Sequence, residues 1–355
     1  MAAAASTPPS PPARAIYRGS DWPKLSNIRN FFIFGDSYSS VIEEEEALPN
    51  PTSSHPLGSP EPFPGDPWTG QGPNWVGHLL LRLTNQSYNS NSATSLFHNS
   101  NLRIYDYAKA GDDVNGLAHQ VRTKFLGKQA RTVRWNAQDS LFVLWIGIND
   151  LAEAYHPSRP MKQLFQLVDE LHDAGARNVL LIDCPPIHKT PAAHPDFGPD
   201  SERYEAWNRL LYAQARLFVQ RHQDHIRTPS TSSASSATSS ASSSFNPSSL
   251  ANATNNTTSY FSAKPPPSSP HSAGPSPLST PNQVGVQGDT SVFVFSAWNT
   301  FMSVLDYPEA YDFDAEDVDE AEGPVWYAIS LSPLSPPLPL FDLTGINADE
   351  TVFFR

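Results

Sequence analysis

The amino-acid sequence predicts a doubly wound α/β fold, a three-layer α/β/α sandwich on a five-stranded parallel sheet. Three observations carry that prediction. Short apolar runs at 30–35, 102–107, 141–146, 179–182 and 291–295 are too brief for helices, and read as strands covered on both faces. Segments with apolar residues at helical spacing stand between them, which gives the β-α alternation of a parallel sheet. The first three runs end in clusters of Gly, Asp, Ser or Asn, at the carboxyl edge where open α/β sheets bind ligands.

Residues 1–28 are a polar, proline-bearing leader expected to be disordered, at least to about Ile16. The first strand is Phe31-Phe32-Ile33-Phe34, closed by Gly35-Asp36-Ser37. Residues 41–72 read as a long loop, with four consecutive glutamates at Glu43 to Glu46 and many prolines and glycines. Pro73 stands at a helix start, and Trp75, Val76, Leu79, Leu80 and Leu83 follow at helical spacing, with Trp75 as a core anchor. The second strand, 102–107, leads into Gly111, and a helix over 115–126 follows.

The third strand, 141–146, is the most apolar and ends in Gly147-Ile148-Asn149-Asp150. A helix over 159–174 stops at Gly175, as a C-terminal cap would stop it. The fourth strand, 179–182, runs into Cys184-Pro185-Pro186, and a long helix covers 200–222. Residues 228–283 are then Ser, Thr, Pro, Ala and Asn with few large apolar side chains, too little to offset chain entropy. They are read as a disordered surface insert. Removing 228–283 is expected to shift the melting temperature little, and a loss of several degrees would show that the insert is packed. The fifth strand, 291–295, and a helix near 297–305 complete a single domain over 29–327.

Composition narrows the function. The net charge of −13 argues against a nucleic-acid partner, which needs a basic footprint. The acidic runs, Glu43–Glu46 and Asp312–Glu322, read as solvated surface. A single cysteine, Cys184, excludes an intrachain disulfide and suits core packing. No membrane span and no secretory h-region are visible, so the chain as written reads as cytoplasmic. Sequons at Asn85, Asn252, Asn255 and Asn256 would matter only if the start were misassigned and the chain secreted.

Three polar clusters should meet at one sheet edge: Asp36-Ser37, Gly111, and Asn149-Asp150. Acyl transfer needs a nucleophile and donors for the developing oxyanion. Ser37 offers Oγ and a backbone N–H, Gly111 a bare N–H, and Asn149 a side-chain amide. Phe34-Gly35-Asp36-Ser37-Tyr38-Ser39 resembles the first sequence block of the SGNH (GDSL-type) hydrolases. Gly111 matches the second block and Gly147-Ile148-Asn149-Asp150 the third. Gly72-Pro73-Asn74-Trp75 is similar to a segment of the fungal carbohydrate esterase and acetylesterase branch.

That resemblance implies a flavodoxin-like sheet and ester hydrolysis through an acyl-serine, with no metal or organic cofactor. The substrate would be a small-molecule or carbohydrate ester. Ser37 would be the nucleophile; the N–H groups of Ser37 and Gly111 and the Asn149 side chain would form the oxyanion hole. Asp36 and Asp150 would be supports. The sequence departs from the family at its final Asp-x-x-His block. Trp326-Tyr327 resembles the lead-in, but the tail 328–355 is proline-broken, and no histidine follows His271. His188 and His194, beyond the fourth strand, are the substitutes on the correct sheet edge. The alternative is a catalytically impaired homologue that keeps the pocket for binding.

Overall fold

The structure, a computed structural model, describes residues 13–41, 50–52, 55–58, 74–84, 101–153, 156–189, 201–227 and 288–311. The strands are β1 (Ala13–Tyr17), β2 (Asn30–Gly35), β3 (Arg103–Asp106), β4 (Ser140–Trp145), β5 (Asn178–Ile182) and β6 (Ser291–Phe295). They form one sheet in the order β1-β6-β5-β4-β2-β3. β2 to β6 pair in parallel, and β1 lies antiparallel on the outer edge of β6. The helices are α1 (Trp75–Thr84), α2 (Val114–His119), α3 (Ile148–Glu153), α4 (Ser158–Asp173), α5 (Glu202–Arg227) and α6 (Ala297–Asp306).

Successive side chains of each strand enter opposite layers, which explains why the runs carry no polar alternation. Phe32, Phe34, Phe142, Leu144, Leu181 and Val294 pack with α2, α4 and α5. Phe31, Ile33, Leu141, Val143, Ile182 and Phe295 pack with α1 and α6. Each such buried side chain contributes about 1.5–3 kcal/mol. Register in the centre is held by aromatics. Phe32 stacks on its partners in both neighbouring strands, Tyr105 and Phe142, with ring centroids 4.9 Å apart in each case. Gly175, with φ at 108°, ends α4 as expected, and Ala176 N–H returns to the Leu171 carbonyl at 3.0 Å.

Two expectations need correction. The sheet has six strands rather than five, and the leader 1–28 is not disordered throughout, because β1 lies within it. Ala13-Arg14-Ala15-Ile16-Tyr17 has no continuous apolar run, since an edge strand leaves much of its surface to solvent. Its stability comes from across the chain. Tyr17 Oη donates to the Asp289 carboxylate, and Gly19 N–H donates to Ser291 Oγ at 3.0 Å. The insert 228–283, the tail 328–355, Glu43–Glu46 and most of the 41–72 loop lie outside the described residues.

Candidate active site

β2 ends at Gly35 and the chain turns at once: the Asp36 carbonyl accepts from Ser39 N–H at 3.1 Å and Ser40 N–H at 3.0 Å. Ser37 sits half-buried on this turn. A Cβ on Gly35 would stand 2.5 Å from the Trp145 carbonyl oxygen, so only glycine lets β4 lie this close. Asn74 and Trp75 hold the turn from outside. Asn74 Nδ2 donates to the Ser40 carbonyl at 2.9 Å, and Trp75 Nε1 donates to Ser39 Oγ at 3.1 Å. Asn74 Oδ1 also accepts from Val76 N–H at 3.0 Å and so caps α1. Trp75 is thus the core anchor expected of it, buried and fastened to the serine turn. Trp145 is equally buried, against Tyr38 and Trp75, and presents no face to a ligand.

Asp36 is fully buried, and its Oδ1 accepts from Tyr38 N–H at 3.0 Å. Burial pushes its pKa up to about 7, against the pull of that hydrogen bond, and the nearby Asp150 and Asp112 charges push the same way.

The loop after β3 folds back onto the serine strand, where Lys109 N–H donates to the Gly35 carbonyl at 3.1 Å. It then turns over Lys109–Asp112, with Asp112 N–H on the Lys109 carbonyl at 3.2 Å and Gly111 at φ +81°. That left-handed position favours glycine, and Gly111 faces open space. After β4, Gly147 adopts φ +130° with the Trp207 indole 2.5 Å from where a Cβ would be. α3 starts there, where the sequence shows only a polar cluster.

α3 delivers Asn149 and Asp150 to the neighbouring loop. Asn149 Nδ2 donates to the Asp112 carbonyl at 2.8 Å, and the amide carries a second N–H for another acceptor. Asp150 Oδ1 accepts from Val114 N–H at 3.2 Å, at the first turn of α2. The loops bearing Ser37, Gly111 and Asn149 therefore meet at the carboxyl ends of β2, β3 and β4. β2 lies between the other two, at the point where strand order reverses.

Sequence reasoning missed two residues of this centre. Gln120 opens a π-helical turn, Gln120–Leu126, that continues α2, and its buried side chain grips both Gly35 and Asp112. Asp112 is the residue where the second and third loops join. A glutamine inside a helical pattern gives no signal of such partners. Cys184 is buried, with its thiol pKa pushed up mainly by burial, and Asn208 clamps its backbone N–H and carbonyl at 2.8 and 2.9 Å.

Of the candidate bases, His188 lies in a short turn past β5, with ring centroids 6.0 Å from Tyr204 and 5.5 Å from Trp298. His194 lies outside the described residues. Among the described residues no group of three His, Cys, Asp or Glu could hold a metal ion, and no helix is long and apolar enough to cross a membrane.

The chain is 31% identical over 217 residues to an acetylesterase of Thermothelomyces thermophilus, covering 53% of this chain and 66% of that protein, just under two thirds of its length. Solved structures similar to it include LAE5, an alpha/beta hydrolase enzyme from the metagenome of Lake Arreo, at 16% identity and TM-score 0.36, covering 57% of this chain and 82% of that one. A catalytic mutant of Axe2, an acetylxylan esterase from Geobacillus stearothermophilus, gives 13% identity and TM-score 0.35, covering 57% and 75%. The family model of the GDSL-like lipases and acylhydrolases matches residues 31–247, from the serine strand past the end of α5. With most of the chain under that match, the chain belongs to the GDSL-like lipase/acylhydrolase family.

Proposed function

We propose that the chain is a serine ester hydrolase of the acetylesterase kind, acting on acyl esters of small alcohols or carbohydrates. Ser37 Oγ would attack the ester carbonyl, the alcohol would leave with a proton, and water would release the acid from the acyl-serine. The N–H groups of Ser37 and Gly111 and the free N–H of Asn149 would hold the oxyanion, each worth about a hundred- to a thousandfold in rate. Asp36 and Asp150 would support the loops. The observation that carries this reading is the Asn149–Asp112 bond, which joins two of the donor-bearing loops beside the serine turn. A base is needed to take the Ser37 proton, and the Asp-x-x-His block that supplies it in the family is absent from residues 328–355. The binding reading rests on that absence.

The oxyanion site can be tested without the base. An arylboronic acid bonds through boron to a serine oxygen, releases the hydroxyl proton to solvent and becomes a tetrahedral anion. Phenylboronic acid is expected to bind saturably, Ser37→Ala should abolish binding, and Asn149→Ala should weaken it about tenfold or more. Binding indifferent to Ser37→Ala would end the esterase reading.

A further inference from the structure

We infer that Gln120 and Asp112 are positioning residues that keep the three oxyanion donors in register, a proposal that rests on the esterase reading. The parallel pairing of β2 with β3 ends at Ile33 and Asp106, before Gly35. Beyond that point the loop after β3 still reaches β2, with Lys109 N–H donating to the Gly35 carbonyl at 3.1 Å, while Gly35 N–H is met by a side chain. Gln120 completes the pairing of Gly35 that the backbone makes only in part. Its Oε1 accepts from Gly35 N–H at 3.0 Å, and its Nε2 donates to the Gly35 carbonyl at 2.8 Å. The same Nε2 donates to Asp112 Oδ2 at 2.6 Å. One fully buried side chain thus ties the residue two before Ser37 to the residue after Gly111.

Asp112 carries the link onward. Its carboxylate receives Gln120, its N–H closes the turn containing Gly111, and its carbonyl receives Asn149. Each donor-bearing loop is therefore one or two bonds from Gln120. Gly116, on the first turn of α2, leaves the room this needs: a Cβ there would overlap the Asp112 carboxyl. Its backbone has no positive φ, so the small side chain serves Asp112 and not a turn. Three donors converging on one oxygen tolerate little error, since a displacement of about 1 Å costs on the order of a hundredfold.

Two variants of the full chain test this. Gln120→Leu removes all three hydrogen bonds at similar size. Gly116→Ala displaces the Asp112 carboxyl while raising intrinsic helix propensity, so weakened binding with an unchanged Tm cannot be blamed on unfolding. Both should weaken phenylboronic acid binding about 10- to 100-fold and shift the backbone amide resonances of Ser37 and Gly111 together. Affinity within about twofold of wild type in both variants, with those resonances unmoved, overturns the proposal and leaves the esterase reading standing. If the wild type itself shows no Ser37-dependent binding, the esterase reading falls. The paired resonances then decide alone: a joint shift in both variants supports the link, and no shift refutes it.

Discussion

Replacing residues 328–355 with an Asp-x-x-His segment and a closing helix is expected to raise aryl acetate hydrolysis by several powers of ten. In a serine hydrolase, loss of the triad histidine costs on the order of a millionfold in turnover. What remains, roughly a thousandfold over water, comes from the oxyanion site and binding. On the proposed reading Ser37, Gly111 and Asn149 would supply that remainder, while no histidine follows His271. Without a base the Ser37 hydroxyl stays protonated near neutral pH and attacks weakly. The measurement is kcat for both chains, each with its Ser37→Ala control. If the chain as it stands turns over at about 10 s−1, a typical enzyme rate, and Ser37→Ala abolishes this, the base lies elsewhere. His188 and His194 would then be the first to mutate.

Stability is expected to be higher at pH 6 than at pH 8. Burial pushes the carboxyls of Asp36 and Asp183 up to about 7 and that of Asp106 up to about 8, from an ordinary 3.8. Asp106 resists ionisation although Ala108 and Val41 donate to its two oxygens, because burial outweighs both bonds. Each carboxyl binds its proton more tightly folded than unfolded. Its contribution is full below about pH 4 and is lost as pH climbs through 7 to 8. Histidines limit the gain on the acid side. Burial lowers His78, and lowers His172 to about 3, so the unfolded chain takes up their protons below about 6.5.

One pKa unit is worth about 1.4 kcal/mol, and about 1 kcal/mol moves the Tm of a domain this size by roughly 2–4 °C. The Tm at pH 6 should therefore exceed that at pH 8 by about 5 °C or more. Asp36→Asn retains the acceptor for Tyr38 and cannot ionise, so it should raise the Tm at pH 8 and change it less at pH 5. A flat profile, or a higher Tm at pH 8, would overturn the account of buried carboxyls.

What could be read from the sequence is what is local. β2, β4, β5 and β6 are near-continuous apolar runs, because both faces of the sheet are covered, and Gly175 marks a helix end within one turn of its partners. Asp36-Ser37, Gly111 and Asn149 stand where those runs stop, so the topology alone brings them together. β1 is not legible because a short, largely uncovered segment becomes a strand only by pairing with β6, with Tyr17 and Gly19 held by Asp289 and Ser291 some 270 positions away. Gln120 is hidden for a similar reason, since its partners are the backbone of Gly35 and the Asp112 side chain in the turn ahead of its own helix. Asp36, Asp106 and Asp183 look like ordinary turn residues, and only burial reveals that they hold protons near neutrality.

The position of β6 has a consequence for synthesis on the ribosome. β6 lies between β5 and β1, so both pairings wait for residues 291–295 to emerge. Until then β2 to β5 can form a four-stranded sheet whose β5 edge, Asn178–Ile182, is unpaired, while β1 waits without a partner. Roughly a hundred residues separate the two strands, a delay on the order of ten seconds at about 5–20 residues per second. An apolar edge left open that long is a template for pairing with another nascent chain. The length of the segment ahead of β6 therefore sets how long each molecule needs protection from its neighbours, quite apart from anything that segment contributes once folding is complete.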